Sequence, residues 1–331
     1  MQIPDKKIIS KYGLDTNNIT PFREGYLIST LNDKYFFRKW DANISRLLYI
    51  IKAKEYIESN GYADMDSFLM SEDGTPYIFF NDSIYVMTTI PEGRECNLLD
   101  RTDIKKASAG LAGLHKASLG FNGGTGAETR CELYKIPTYF SKRLDELKKL
   151  KKIARKGKKE FDNIFLEYSD NFIALAEKAI ELLDKSEYMA LCKSTEREGS
   201  FCHHDYTHSN ILITDGKASI TNFDFMCPEL RVYDLANFLR RKLRKCNWDF
   251  PEGKYIIDEY MSIQSLSVEE LRVMGIILMF PQKMWRVCNK YYNSKRSFYE
   301  KGFIWQLKEV IEEREPSKAF IESFEKEYCG Y

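Results

Sequence analysis

Between Phe201 and Phe225 the chain reads FCHHDYTHSNILITDGKASITNFDF, and several of its side chains have the types and spacing for phosphoryl transfer. In His-x-Asp-x-x-x-x-Asn, here His203, Asp205 and Asn210, the carboxylate can orient an acceptor hydroxyl and take its proton, while the amide five residues on can hold a metal ion. Asn222 and Asp224, beyond the next apolar runs, add oxygen donors of the kind that Mg²⁺ takes, with water and phosphate completing its shell. His-x-Asp alone is weak. Joined to a fixed Asn, a hairpin and a second polar cluster, it becomes a strong signal.

The elements around these residues must bring them together. Asp215-Gly216 predicts a two-residue hairpin with a type I′ turn, in which both central residues have positive φ. Pairing Thr214 with Lys217 sets Ile213 opposite Ala218, Leu212 opposite Ser219, Ile211 opposite Ile220 and Asn210 opposite Thr221. Asp205, Asn210, Asn222 and Asp224 then gather at the open end of the ribbon. Upstream, residues 26–30 and 34–40 read as one hairpin and residues 77–90 as another around Asn81-Asp82, with a helical pattern through Leu47, Leu48, Ile51, Tyr56 and Ile57 between them. That order is β-β-α-β-β. After Pro91–Cys96 the pattern is mostly helical: a stripe of Ile104, Ala107, Leu111, Leu114 and His115, a long stretch from Ile136 to Leu183 broken near Gly157, and a helix over Tyr233–Leu243. His115 on this apolar stripe reads as a core histidine.

The 331 residues, 44% apolar and 30% charged, fit an ordinary globular chain of about two domains. A net charge of +1 gives no global attraction to nucleic acid or membrane. Met1–Lys7 lacks the apolar stretch of a secretory signal, and the longest apolar run, Val273–Phe280, falls far short of the ~20 residues that span a bilayer. Eight cysteines without a C-x-x-C pair read as free thiols, consistent with cytoplasmic synthesis. Cys202-His203-His204-Asp205 is a poor zinc site, because adjacent residues do not converge on one tetrahedral ion. Eight of the twelve residues 148–159 are Lys or Arg, which reads either as a solvated, salt-bridged helix face or as a site for an anionic partner; without interleaved aromatics, nucleic acid is not expected. Tyrosines cluster in residues 289–300 and at the C-terminus, where they could pack between helices or cross-link in an oxidising assembly.

The catalytic-loop segment resembles the kinase-like phosphotransferases that include aminoglycoside and choline kinases, and is most similar to the CotS-type spore coat proteins of endospore-forming bacteria. The ten-residue step from Asp224 to Asp234, followed by Leu235-Ala236, matches their I-D-F-D…D-L-A spacing. TTIPEGREC (residues 88–96) resembles the hinge of the coat-protein branch, LAGLHKASLGF (residues 111–121) its next helix and SRLLYIIKAKEYIESNGY (residues 45–62) its N-lobe helix. The resemblance covers most of the chain.

It implies an α+β, bilobed protein-kinase-like fold: a small antiparallel β-sheet N-lobe with one helix over residues 1–90, and a mostly helical C-lobe over 91–331 carrying the catalytic-loop hairpin 203–225. ATP would lie under the sheet against residues 85–94, with Thr88 and Thr89 among its contacts. Arg38 or Lys39 would stand where such kinases place a phosphate-holding lysine, and strand alternation lets only one of them face the cleft. Asp205 would be catalytic, Asn210, Asn222 and Asp224 would hold Mg²⁺, and His203 and Asp234 would give structural support, Asp234 by capping its helix. The chain departs from the family at Asn222, which falls on the first acidic position of I-D-F-D; losing that negative charge weakens attraction for a hard dication. His204 replaces a glycine common in the family, no glycine-rich loop precedes Arg38, and neither Glu55 nor Glu58 is assigned as the partner of a phosphate-binding cation.

Two principal readings stay open. One is a spore coat protein with an impaired kinase fold, made in the mother cell and acting by binding other coat components. The other is a working ATP- and Mg²⁺-dependent kinase on an alcohol group of a small molecule or a protein. A nucleotide sensor without turnover is a third. No membrane insertion is expected.

Overall fold

The computed structural model describes residues 6–123, 130–293 and 300–330. The chain divides into two compact units, Met1–Arg130 with Gly199–Cys227, and Cys131–Glu198 with Pro228–Tyr331. The unit containing the N-terminal sheet thus extends past residue 90 and includes the 203–225 hairpin.

The first unit opens with a short helix α1 (Lys6–Ser10), then β1 (Asn18–Phe22), β2 (Gly25–Ser29), β3 (Lys34–Trp40), α2 (Ile44–Ser59), β4 (Ile78–Phe80) and β5 (Ser83–Thr89). These strands form one antiparallel sheet in the order β1-β2-β3-β5-β4. Strand β1 was not expected: it is polar, carries Pro21 and sits at the edge, where a missing N–H is tolerated. Gly25 is required by close approach, since a Cβ there would lie 2.4 Å from the Phe37 carbonyl oxygen. Alternation along β3 sends Phe37 into a core with Ile8, Ile9, Tyr26, Ile28 and Met87. Arg38 lies on the other face, its guanidinium 5.8 and 5.0 Å from the ring centroids of Phe36 and Trp40.

The chain continues as β6 (Arg94–Glu95), α3 (Arg101–Ser118), β7 (Ile211–Ile213) and β8 (Ala218–Ile220). The last two strands pair in the expected register, and β6 adds a third strand beside β7. Gly93 permits this junction. Its φ of 129° suits only glycine, and a Cβ would meet the Ile213 carbonyl oxygen at 2.8 Å. Helix α3 buries Ile104, Ala107, Leu111, Leu114 and His115, as its stripe predicts. The type I′ turn, however, is at Asn81-Asp82 (φ 47° and 56°), whereas neither Asp215 nor Gly216 has positive φ. Strand pairing fixes the 211–220 register without that turn.

The second unit is helical: α4 (Ile136–Ala154), α5 (Glu160–Asp184), α6 (Tyr188–Glu198), α7 (Val232–Leu243), α8 (Phe250–Met261), α9 (Val268–Met279), α10 (Gln282–Asn293), α11 (Glu300–Glu312) and α12 (Arg314–Tyr328). Leu147, Phe161, Phe165, Met284 and Leu307 join α4, α5, α10 and α11 in one core. The Val273–Phe280 run is buried in and just after α9, and no described helix is long and apolar enough to cross a membrane. Within the basic segment, Lys148 pairs with Glu177 at 2.7 Å, Lys151 with Asp170 and Lys159 with Glu300 at 3.9 Å, so three of its eight cations meet acids of neighbouring helices. Of the clustered tyrosines, Tyr291 and Tyr292 pack against Phe161, while Tyr299 and Tyr331 lie outside the described residues.

Candidate active site

The 201–225 segment is braced at both ends. Cys202 and Cys227 exchange backbone hydrogen bonds (2.9 and 3.1 Å), and the Thr221 N–H donates to the Asn210 carbonyl at 2.9 Å. His203 is fully buried between these points, edge-on to Phe223. Its Nδ1 accepts from the Asp205 N–H at 3.2 Å, so the proton is on Nε2, which donates to the Thr221 carbonyl at 3.0 Å. Histidine therefore ties the loop to the Thr221 backbone beyond the far strand of the ribbon. His204 has φ 65°, which explains why glycine suits that position.

Asn210 is buried and points its amide inward: Nδ2 donates to Asp205 Oδ2 at 2.9 Å and to the Asp205 carbonyl at 3.0 Å. This orients the half-buried carboxylate. The Asn210 Oδ1, the atom a metal would need, accepts from Arg23 Nη1 at 3.5 Å, and Arg23 Nη2 donates to the Ser209 carbonyl at 2.8 Å. Arg23 sits in the two-residue turn between β1 and β2 with φ 50°. This turn therefore presents a guanidinium to the loop at Ser209 and Asn210.

A cavity of about 220 Å³ lies beside this loop, lined by Phe36, Arg38, Lys54, Thr88, Asn222 and Asp224 among others. Asp205 and Asn210 are not among its lining residues; Thr221, hydrogen-bonded to Asn210, is. Thr89 also lines it, with Oγ1 accepting from the Ser67 N–H at 2.9 Å. Lys39 does not: it is exposed on the opposite face of β3. Arg38 is thus the strand cation of this site. Asn222 adopts the left-handed conformation, φ 65° and ψ 69°.

The three cations that line the cavity, Arg23, Arg38 and Lys54, are each paired with one of its acids, Glu95, Asp224 and Asp66. Arg38 Nη2 donates to Asp224 Oδ1 at 2.6 Å, with the two side chains 11% and 25% exposed. Burial pushes the Asp224 carboxyl above its usual range, against the lowering pull of Arg38. Arg46 clamps the same turn, its Nη2 donating to the Asp224 carbonyl at 2.8 Å and also to that of Met226. Lys54 Nζ donates to Asp66 Oδ1 at 2.6 Å, both side chains nearly fully buried, with the Phe68 and Phe223 ring centroids 5.0 and 4.8 Å away. Lys54, Asp66 and Arg23 were missed from sequence. Lys54 was findable: it stands four residues after Ile50 and three before Ile57, a charge on the buried stripe of α2. Glu55 and Glu58 face solvent, so the helix offers the cavity a lysine instead of a glutamate.

Of the three side chains expected to hold a dication, only Asp224 is a carboxylate, and it is held by Arg38; the other two are neutral amides, and the Asn210 amide oxygen faces Arg23. Glu24, Asp66 and Glu95 also line the cavity, Asp66 paired with Lys54 and Glu95 with Arg23. Mg²⁺ in phosphotransferase sites is bound through one or two carboxylates with substrate phosphates; here the carboxylate nearest Asn222 in sequence, Asp224, is already engaged by Arg38. In the second unit Asp234 is buried in the first turn of α7. It is not the cap residue, because the N-cap is Arg231, which makes no side-chain cap bond.

An antiparallel sheet with mostly helical remainder and an H-x-D-x-x-x-x-N loop leading into a short ribbon defines the protein-kinase-like phosphotransferase class. The solved aminoglycoside phosphotransferase of Alicyclobacillus acidocaldarius subsp. acidocaldarius DSM 446 superposes with a TM-score of 0.90 at 19% identity, covering 100% of this chain and 98% of the other. Spectinomycin phosphotransferase APH(9)-Ia, solved with ADP and spectinomycin, superposes at 0.69 and 13% identity over 97% and 98% of the two chains. Residues 5–324 match the family described as "Spore coat putative kinase YutH", and the chain belongs to that family. Spore coat protein S of Bacillus subtilis (strain 168) is 23% identical over 286 residues, 86% of this chain and 81% of that protein.

Proposed function

We propose that this protein is a spore coat component, made in the mother cell, whose kinase-type cavity has lost phosphoryl transfer and which serves by binding other coat proteins. The observation that carries this reading is the Arg38–Asp224 pair beside Asn222. Asp224 is the carboxylate that could make up for the missing charge at Asn222, and Arg38 is the cation that could hold nucleotide phosphates. Each occupies the other. Attraction between unit charges at this spacing is strong in a poorly solvated site, so an incoming metal or phosphate must first break it. Asp205 remains well oriented by Asn210, which makes the metal and phosphate positions, not the base, the defect.

Calorimetry with ATP, with and without Mg²⁺, tests this reading. Weak binding that Mg²⁺ does not strengthen is expected, with no ATP turnover. Asn222→Asp should bring a measurable gain in Mg²⁺-dependent ATP binding. Tight, Mg²⁺-dependent binding by the natural chain, accompanied by hydrolysis or transfer, would overturn the proposal and restore the working kinase.

A further inference from the structure

A second cavity, about 50 Å³, lies wholly within the helical unit, lined by Arg240, Arg244, Trp248, Gln282, Lys283 and Ser317 among others. Arg314 also lines it, so four cations face a single lining acid, Glu313. Glu313 is shared: it accepts from Arg244 Nε at 3.3 Å and from Lys283 Nζ at 2.7 Å, while Lys283 also meets Glu309 at 3.3 Å and Arg314 meets Glu315 at 2.8 Å, both acids outside the lining.

Arg240 has no carboxylate partner among the described residues, although only 8% of it is exposed. Its Nη1 donates to Asn237 Oδ1 at 3.3 Å and its Nη2 to the Ile277 carbonyl, which leaves donors of the five-N–H guanidinium uncommitted. Ile277 is in the last turn of α9, whose dipole offers only partial negative charge. Burial, together with repulsion from Arg244, Arg286 and Arg143, pulls the Arg240 pKa down to about 9. A buried guanidinium among other guanidiniums calls for an anion.

Two independent features point the same way. The indole N–H of Trp248 is buried and has no acceptor among the described residues, and Trp248 is only 6% exposed. An indole can only donate. In addition, α10 begins at Gln282 beside the cavity with no acid in its first turn; the Gln282 N–H donates to the Phe280 carbonyl at 2.7 Å, which leaves the N–H groups of Lys283 and Met284 and the positive dipole end facing no acid of their own helix. Donors thus come from α7, the turn after it, the start of α10 and the start of α12.

We propose that this cavity is a binding site for a small tetrahedral oxyanion, inorganic phosphate or the phosphate end of a monoester. Oxygens on several sides of one anion can accept from Arg240, Arg244, Trp248 and the α10 N-terminus together, which a chloride or a planar carboxylate cannot do as fully. The volume excludes a nucleotide. The site is separate from the kinase-type cavity and does not depend on the reading given for it.

Titration of the full chain with inorganic phosphate at constant ionic strength, followed by calorimetry, tests the proposal. Saturable 1:1 binding is expected, with sulfate competing. Trp248→Phe, a conservative change, and Arg244→Gln, at a partly exposed side chain, should each weaken it by about tenfold, with far-UV circular dichroism confirming the fold. Phosphoserine as a second probe identifies the source: tighter binding than phosphate favours a monoester, weaker binding the free ion, and either sustains an oxyanion site. No saturable binding, or unchanged affinity in Trp248→Phe and Arg244→Gln, overturns the proposal. So does binding lost in Arg38→Gln but kept in Arg244→Gln, which would move the anion to the other cavity.

Discussion

Arg38→Gln tests the ion pair on which the functional reading rests. Removing one partner of a fully buried pair costs about 3–5 kcal/mol, because the other charge is left stranded. Here a quarter of the Asp224 side chain reaches water, which reduces the expected loss to about 2–3 kcal/mol near pH 8. Part of that loss is independent of pH, since Arg38 also packs over Phe36 and Trp40. The remainder has a definite sign. Burial already holds the folded-state pKa of Asp224 above the ordinary 3.8, and removing Arg38 takes away two influences that lower it. The folded mutant then keeps a proton over a pH window in which the folded natural protein has lost it. Stability declines with pH wherever the folded state binds more protons than the unfolded state. The penalty of Arg38→Gln should therefore grow as pH rises above the carboxylate range, and shrink toward about 1 kcal/mol, the worth of a lost hydrogen bond and packing, on the acid side. Urea denaturation at several pH values between 5 and 8 measures this, and for a chain of 331 residues a loss of this size should lower the melting temperature by roughly 3–4 °C. Arg38→Gln/Asp224→Asn should recover much of the loss, since no carboxylate is then stranded. A penalty that is flat with pH, or a double variant no more stable than Arg38→Gln, would refute the argument that charge burial dominates this site.

Lys54→Met should destabilise the protein by about 3–5 kcal/mol by stranding Asp66, and Lys54→Met/Asp66→Leu should restore most of it, as chemical denaturation will show. Glu229 is buried with one oxygen accepting from the Leu230 N–H, and burial first, then Glu132 and Asp234, raise its pKa to about 8. With the folded value raised above 4.5, its contribution falls as pH climbs from about 5 to 8; Glu229→Gln should gain stability relative to the natural chain over that interval, by a few kcal/mol at most, in parallel pH-dependent melts. An unchanged difference across the interval would mean that Glu229 ionises normally.

Much of the candidate site was legible in the sequence because it is built locally. His203, Asp205, Asn210, Asn222 and Asp224 lie within one ribbon whose register follows from two short apolar runs, and pairing obeyed that register even though the turn at Asp215-Gly216 is of another type. Alternation on β3 required that only one of Arg38 and Lys39 face the cavity, but not which. That choice waited for the packing of Phe37 against α1. Edge strand β1 escaped notice because a polar strand containing proline carries no alternation to read.

Residue types and short-range spacing determined that this chain carries a phosphotransferase-like loop, and the resemblance of its motifs to the kinase-like family marked Asn222 as an amide where the family has an acid. Only the tertiary structure decided what that amide's neighbours do. Arg38 and Asp224 are 186 residues apart and Arg23 and Asn210 are 187, and no local periodicity can foretell such meetings. The same holds for Arg240 and the Ile277 carbonyl, 37 residues apart on different helices. A charge's partner is set by which faces the packed sheet and helices bring within a few ångströms, and in a site shielded from water that partner governs whether the charge is free to bind anything else.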